Sequence, residues 1–177
     1  MVDNVKPTAE YMRSILSYDP ATGVFTWKKP AGRYGRIPIG SVAGSVGGVR
    51  TKHFSITVLG KLYRGSHIAW LITYGVWPGL IVDHKNGDTL DNRLDNLRLA
   101  TPSQNSINKH YAWGASGLKG VYKKQLRGVS KKGECRWRAT IQFERKSIHL
   151  GYFTTKEEAH TAYFKKASEL YGEFAHP

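Results

Sequence analysis

The chain has 177 residues, of which 40% are hydrophobic and 12% aromatic, so it is long enough for one ordinary domain or two small ones. Its 27 Lys and Arg residues against 13 Asp and Glu residues give a formal charge of +14, which favours a polyanionic partner and makes nucleic acid the first candidate. A single cysteine excludes an intramolecular disulfide framework and a zinc site made of several thiolates.

The sequence has no membrane signal. No apolar run reaches the roughly 18 to 20 residues of a membrane span, and the first residues lack the features of a signal peptide. A membrane surface is the rival partner for the positive charge, but no long helix sets Lys and Arg opposite a continuous apolar face. We therefore expect a cytoplasmic protein without a membrane partner.

The first predicted part of the chain, residues 1–65, is a helix followed by a β-rich segment. Thr8 is a plausible N-cap for the helix. Residues 18–63 are rich in Gly and β-formers with frequent turn signals, which predicts short antiparallel strands. The glycine-rich stretch GSVAGSVGG lacks the GKS/T ending of a phosphate-binding loop, so turns explain it better. The segment either braces the rest of the protein or contacts DNA through the basic residues Lys28, Lys29, Arg33 and Arg36.

The second predicted part, residues 66–112, has the order helix, strand, loop, strand, helix. Ser66 is a plausible N-cap for the helix HIAWLITYG, which Gly75 and Pro78 end. The stretches IVDH and LRLA are short strands that flank the loop KNGDTLDNR. Thr101 followed by Pro102 predicts the start of the last helix.

Four polar residues meet in such a ββα unit. Asp83 and His84 end the first strand, Asn96 lies at the entry of the second, and Asn105 lies on the first turns of the helix. His84 precedes Asn96 by 12 residues, and Asn96 precedes Asn105 by 9. The ordered stretches VDH-x-x-G, DN-x-x-x-NLR and T-x-x-Q-N resemble the HNH endonuclease family, in its small phage and homing-type branch, over about residues 66–109.

This resemblance implies a reaction and a division of roles. His84 is the expected general base for hydrolysis of a phosphodiester, and its neutral imidazole suits that task near pH 7. Asp83 and the amide oxygen of Asn105 are the expected ligands of one Mg²⁺ or Mn²⁺ ion per site, because hard ions favour oxygen. Asn96 is expected to bridge backbone groups across the loop and hold the histidine. With one base and one ion, a single unit cuts one strand at a time.

Simpler roles exist for the same residue types. Taken singly, Asp83, Asn96 and Asn105 fit turns or helix caps, and a lone histidine is more often structural. Their combination at these spacings in a basic chain reverses that preference. Asp88, Asp91 and Asp95 are expected to close the loop. Arg93 and Arg98 either face phosphate or pair with these acids, and the sequence leaves both open.

The third predicted part, residues 113–177, contains three strands and a helix. GVYK opens the first strand, RWRATIQF alternates apolar with polar residues, and SIHLGYF forms the third strand. Thr155 and Glu158 form a capping box for the helix. This part resembles the Apetala-two/ethylene-response-factor DNA-binding domain through KGVY, WRA-x-I, LG-x-F, EEA-x-x-AY and YGEFA. In that family the sheet enters the major groove of DNA.

The resemblance implies a DNA-binding face on this sheet, formed by Tyr122, Lys124, Arg136, Arg138, Thr140, Gln142, Arg145, Ser147 and His149. The insertion LRGVSKKGEC, with Arg127, Lys131 and Lys132, is expected to follow the phosphate backbone. The DNA sequence that this domain recognises cannot be taken from the family, because Thr140, Gln142 and His149 stand where plant members carry more Arg and Trp.

Together these expectations describe an α+β protein with an N-terminal β-rich segment, a ββα-metal nuclease unit and a three-stranded antiparallel sheet packed on one helix. The expected function is metal-dependent endonuclease cleavage of double-stranded DNA, in a bacterial host cytoplasm if a phage encodes the chain. The alternative is a non-catalytic DNA-binding or regulatory protein with an inactive nuclease remnant. The sequence leaves monomer and homodimer open.

Overall fold

The computed structural model describes residues 6–47, 52–108, 115–125 and 135–175. The chain forms two compact units, residues 1–100 and residues 101–177. This boundary lies inside the segment predicted as one nuclease unit, and the organisation in three domains stays a prediction. The described part has a mixed α/β architecture with small antiparallel sheets. None of its helices is long and apolar enough to cross a lipid bilayer.

Within the described residues, the first unit begins with a short helix and five short strands, and the sequence predicts a helix followed by short antiparallel strands here. Thr8 caps α1, because its side chain accepts a hydrogen bond from the backbone N–H of Tyr11 at 3.1 Å. The first two strands pair with each other, and the next three form a separate antiparallel sheet in the order β3-β4-β5. The elements are α1 (Ala9–Ile15), β1 (Leu16–Tyr18), β2 (Phe25–Trp27), β3 (Ser45–Gly47), β4 (His53–Val58) and β5 (Lys61–Arg64).

The second helix, α2 (Gly65–Tyr74), corrects one prediction. Ser66 is not its N-cap: the cap position is Arg64, which makes no side-chain capping bond, and Ser66 is buried inside the first turn. The helix starts earlier because β5 ends at Arg64 and runs into it without a loop. Residue 65 is a glycine at a crowded position, since a Cβ there would lie only 2.5 Å from the ring of Phe54. Gly75 ends the helix in the left-handed conformation, as predicted.

A two-stranded sheet follows within the first unit. It consists of β6 (Ile81–His84) and β7 (Leu97–Ala100), which pair antiparallel over their full length. Residues 85–96 form the long loop between them, and its last turn is a short 3₁₀ helix (Leu94–Asn96). We call residues 85–96 the site loop.

The core of the first unit joins its N-terminal elements to this sheet. Apolar side chains from α1, the strands and α2 are packed together out of contact with water, which is the main stabilising term for such a unit. Its fully or almost fully buried members include Met12, Leu16, Phe25, Ala43, Ile56, Ile68, Ala69 and Leu71.

The second unit contains a short helix, a three-stranded sheet and a long helix. Thr101 caps α3 (Pro102–Asn108): its hydroxyl accepts from the backbone of Gln104 at 3.3 Å, and the Gln104 side chain accepts from the Thr101 N–H at 2.8 Å. The sheet has the order β10-β9-β8 and consists of β8 (Val121–Gln125), β9 (Cys135–Phe143) and β10 (Lys146–Phe153). The last helix is α4 (Lys156–Tyr171), with the predicted Thr155–Glu158 capping box.

One face of this sheet packs on α4. Val121, Ala139 and Ile141 are buried against Ala159 and Tyr163 of the helix. Gly120 is required here, because its φ is +70° and a Cβ would lie 2.1 Å from the Tyr163 ring. The predicted backbone-following insertion with Arg127, Lys131 and Lys132 falls in residues 126–134, outside the described residues.

Candidate functional site

Asp83 and His84 lie at the C-terminal end of β6, where the site loop begins. Antiparallel pairing sets Asp83 opposite Arg98 and His84 opposite Leu97. Both are almost fully buried, with 5% and 8% of their surface exposed. A carboxylate and an imidazole buried side by side need polar partners, since burial without them is costly.

Asn96 holds the two ends of the site loop together. Its side-chain Oδ1 accepts from the backbone N–H of Asn86 at 3.0 Å, and its Nδ2 donates to the carbonyl of Asp91 at 2.8 Å. Its backbone carbonyl accepts from the N–H of Lys85 at 2.8 Å. These contacts agree with the backbone bridge predicted for Asn96, while its role in cleavage stays a prediction.

Two of the three aspartates expected to close the loop, Asp88 and Asp91, do so from within, while this role stays a prediction for Asp95. Asp88 accepts from the backbone of Leu90 at 2.9 Å, and Asp91 accepts from Asn86 at 2.8 Å. Arg93 pairs with Asp91 through two side-chain hydrogen bonds of 2.9 and 2.7 Å, which resolves its alternatives in favour of pairing with an acid. This pairing lowers the pKa of Asp91 to about 2.

The imidazole of His84 hydrogen-bonds the buried side chain of Asn92. Burial lowers the pKa of His84, while the bond to Asn92 and the carboxylate of Asp83 oppose that shift. The net lowering favours the neutral ring at pH 7, which is the form that accepts a proton. Asn92 also donates from Nδ2 to the carbonyl of Leu90 at 3.2 Å. Sequence reasoning treated Asn92 only as part of a motif, and its burial was the missing signal.

The N-terminal segment contacts the same part of the site loop. The hydroxyl of Tyr18 donates to the carbonyl of Asn92 at 2.7 Å, and the N–H of Leu94 donates to the carbonyl of Pro20 at 2.9 Å. Gly23, with φ +75°, lies so close to the site loop that a Cβ there would be 2.7 Å from the backbone nitrogen of Arg93. These contacts agree with bracing as one of the two roles predicted for this segment, while its contact with DNA stays a prediction.

Asp83 forms a buried ion pair with Arg98. The Nε of Arg98 donates to Oδ2 of Asp83 at 3.0 Å, and both side chains are less than one-tenth exposed. The position of Arg98 follows from the register of β6 and β7, which brings the two residues directly opposite each other. Arg98 therefore pairs with an acid, but with Asp83 rather than with one of the loop aspartates Asp88, Asp91 and Asp95 named in the prediction.

Asn105 belongs to α3 in the second unit. Its backbone N–H donates to the carbonyl of Thr101 at 2.9 Å, so it lies in the first turns of the helix, and its side chain is half-buried. Ile107 on the same helix joins the apolar core with Ile141 and Tyr163. The role of Asn105 as a metal ligand together with Asp83 stays a prediction. In the described ranges, no three His, Cys, Asp or Glu side chains form a group able to hold a metal ion.

The second candidate surface is the open face of the β8-β9-β10 sheet. All the residues predicted for it are exposed except Thr140, which is half-buried, and Arg145 lies in the turn between β9 and β10 with φ +63°. Cross-strand register aligns Tyr122 with Arg138, Lys124 with Arg136, Gln142 with Ser147, and Thr140 with His149. The guanidinium of Arg138 lies 5.4 Å from the centre of the Tyr122 ring.

Tyr152 was missed by sequence reasoning although it lies on this face. The register of β10 shifts between His149 and Gly151, so Tyr152 aligns with Arg138. Its hydroxyl accepts from Nζ of Lys124 at 3.0 Å, which lowers the pKa of Tyr152. The glycine inside the strand LGYF was the available signal, because such a glycine often marks a bulge.

Residues 64–107 match a family model described as HNH endonuclease. An uncharacterized HNH endonuclease of Acanthamoeba polyphaga mimivirus is 35% identical over 120 residues, which is 67% of this chain and 58% of that relative. Protein 3.8 of Escherichia phage T7 is 36% identical over 110 residues, which is 60% of this chain and 83% of that relative. No solved structure matches the chain significantly.

Proposed function

We propose that this chain, whose residues 64–107 match an HNH endonuclease family model, hydrolyses phosphodiester bonds in DNA with the help of one divalent metal ion. The chain spans 58% of the length of the mimivirus relative, so activity and substrate are argued from its own residues. The supporting observation is the buried Asp83–His84 pair beneath a loop that Asn96 closes on both sides.

His84 is the proposed general base. It accepts a proton from a water molecule whose oxygen attacks phosphorus, one P–O ester bond breaks, and the leaving oxygen takes a proton from solvent. The products are a hydroxyl end and a phosphomonoester end. Two features support this role: burial lowers the pKa of His84, and the side chain of Asn92 is a hydrogen-bond partner of its ring. Asn96 acts indirectly, because it holds the loop that carries Asn92.

Asp83 is the proposed metal ligand in the first unit. Asn105, predicted from the sequence, is the proposed second ligand. One carboxylate and one amide oxygen suit Mg²⁺ or Mn²⁺, which retain water molecules and bind substrate phosphate. When bound, such an ion stabilises negative charge on the scissile phosphate and on the leaving oxygen. Arg98 orients the Asp83 carboxylate by binding Oδ2.

The open face of the C-terminal sheet is the proposed DNA-docking surface. Its cations and aromatic side chains suit contacts to phosphates and to bases. Such a module would bring DNA to the nuclease unit, and one unit would nick one strand in each event.

The test is conversion of supercoiled plasmid to open circles. We expect nicking by the wild-type protein with Mg²⁺ or Mn²⁺, none with EDTA, and a rate at least about 100-fold lower for His84→Ala, in line with the usual contribution of a general base. The matched control is His160→Ala, which removes a half-buried histidine from α4 of the second unit.

The variant His84→Ala should still bind duplex DNA with wild-type affinity. Nicking at the wild-type rate by this variant would remove His84 from the mechanism. DNA binding by the wild-type protein without cleavage in either metal would favour the alternative, a DNA-binding protein with an inactive nuclease unit.

A further inference from the structure

The first unit carries an exposed loop at the end of a hairpin. Residues 32–36, GRYGR, form this tip loop, which is closed by reciprocal backbone hydrogen bonds of 3.0 and 2.9 Å between Ala31 and Ile37. The pairing continues inward, with the N–H of Trp27 donating to Ser41 at 3.0 Å and the N–H of Ala43 donating to Phe25 at 2.8 Å. Backbone pairing therefore fixes the tip loop on the folded unit.

The charged Lys, Arg, Asp and Glu positions in the sequence around the tip loop are all Lys or Arg. Residues 20–82 contain no Asp or Glu, although they contain eight Lys and Arg residues. The seven of these that the structure describes are all exposed: Lys28, Lys29, Arg33, Arg36, Lys52, Lys61 and Arg64. All seven acids of residues 1–100 lie outside this stretch. Such segregation favours a positive potential around this stretch of the chain.

Tyr34 stands out at the centre of the tip loop. Its side chain is 80% exposed, so it contributes little to a core. Its backbone has φ 59° and ψ 28°, a left-handed conformation that is unfavourable for residues other than glycine. The guanidinium of Arg33 lies 5.1 Å from the centre of its ring. An exposed aromatic ring kept in a strained conformation between two arginines has no evident folding role and points to a binding role.

We propose that the tip loop is a DNA-binding site, in which Arg33 and Arg36 contact phosphates and Tyr34 packs on a base or sugar. This inference rests on the proposed function for the choice of DNA as the polyanion. Arginine with an exposed aromatic ring suits nucleic acid, because the ring stacks and the cations neutralise phosphate.

The hairpin also joins the tip loop to the nuclease unit. Gly23, just before β2, contacts the site loop, and the tip loop begins at Gly32. The nine residue steps from Gly23 to Gly32 reach at most roughly 30 Å at the rise of an extended strand. That length equals about nine base pairs of DNA. The tip loop therefore begins within about nine base-pair lengths of the part of the site loop that Gly23 contacts.

The test measures DNA affinity rather than cleavage, so it is independent of whether the enzyme turns over. With the background variant His84→Ala and a fluorescent 30-base-pair duplex, Arg33→Ala/Arg36→Ala should raise Kd about tenfold or more and lower the salt slope of log K by about two. The control variant Lys156→Ala/Lys165→Ala removes the same charge from α4 and should change Kd less than twofold.

Tyr34→Gly separates binding from folding. It should raise the melting temperature by about 2 °C, because glycine relieves the left-handed strain, yet raise Kd about five- to tenfold through loss of the stacked ring. Tyr34→Phe should keep wild-type affinity. Equal Kd values for the double arginine variant and its control would overturn the proposal, as would equal losses of binding to duplex DNA and to phosphatidylserine vesicles.

Discussion

Asp83 and His84 are adjacent in sequence but have different partners. Successive side chains of a strand point to opposite faces, so Asp83 meets Arg98 of β7 while His84 meets Asn92 of the site loop. Each residue is thereby held from its own side. One strand end can present both a carboxylate and an imidazole with fixed orientations.

Arg98 should be the residue in this site whose loss destabilises the fold most. Arg98→Leu leaves the buried carboxylate of Asp83 without its guanidinium, and removing one partner of a buried ion pair costs about 3 kcal/mol or more. We therefore expect the free energy of unfolding to fall by about that amount. Urea denaturation followed by tryptophan fluorescence measures it.

The double variant Asp83→Leu/Arg98→Leu is the control for this prediction. Replacing both partners by apolar residues removes the buried charge, so the double variant should be more stable than Arg98→Leu alone. A double variant no more stable than Arg98→Leu would mean that the ion pair is not the cause.

The secondary structure around the site was predictable because its signals are local. IVDH and LRLA are short apolar strands bounded by polar turn residues, and Thr101–Pro102 is a strong helix start. The structure confirms each of these elements. Asp88 and Asp91 were also predictable as loop-closing residues, because Asp binds nearby backbone N–H groups in turns.

The contacts that depend on distant parts of the chain were not predictable. The close contact of Gly65 with the ring of Phe54 joins two different elements, and the brace from Tyr18 to Asn92 joins residues 74 positions apart. Tyr152 reaches the open sheet face only because β10 is irregular before Gly151. Local propensity carries no information on such pairings, which tertiary packing decides.

The site loop should lose part of its stability in acid. The pKa of Asp91 is about 2 in the folded chain and near 3.8 in an unfolded one, so its pairing stabilises the fold above about pH 4 and is lost as pH falls to 2. Asp91→Asn should unfold more easily at pH 6 and lose less stability than wild type between pH 4 and 2. Chemical denaturation across this pH range measures both.

Asp95→Asn is the control for the loop, since it removes an exposed carboxylate from the same segment. It should leave stability at pH 6 close to that of wild type. If Asp91→Asn and Asp95→Asn gave identical curves, the Asp91–Arg93 pair would have no special weight.

At the scale of the whole molecule, the positive charge is shared by both units. Residues 1–100 carry 13 Lys and Arg against 7 Asp and Glu, a net charge of +6, and residues 101–177 carry 14 against 6, a net charge of +8. Each unit can therefore contribute its own contacts to a polyanion. Total DNA affinity should accordingly depend on salt more steeply than either unit alone would cause.

Arg138 should be a main contributor in the second unit, since it lies between Tyr122 and Tyr152 on the open sheet face. Arg138→Ala should weaken DNA binding and lower the salt slope of log K by about one, without abolishing nicking at high protein concentration. Fluorescence anisotropy across a salt series measures this, with Lys165→Ala as the control. Wild-type affinity at every salt concentration would reject the sheet face as a docking surface.

The close approach of Gly23 to the backbone of residues 92 and 93 has a consequence for protein engineering. A chimera that transplants only residues 64–107, the stretch recognisable as a family motif, leaves behind the turn that shapes the loop beside His84. Such a graft would inherit every residue of the motif but not the neighbour that keeps those residues in register. A graft of this stretch therefore needs the turn of residues 18–23 as well.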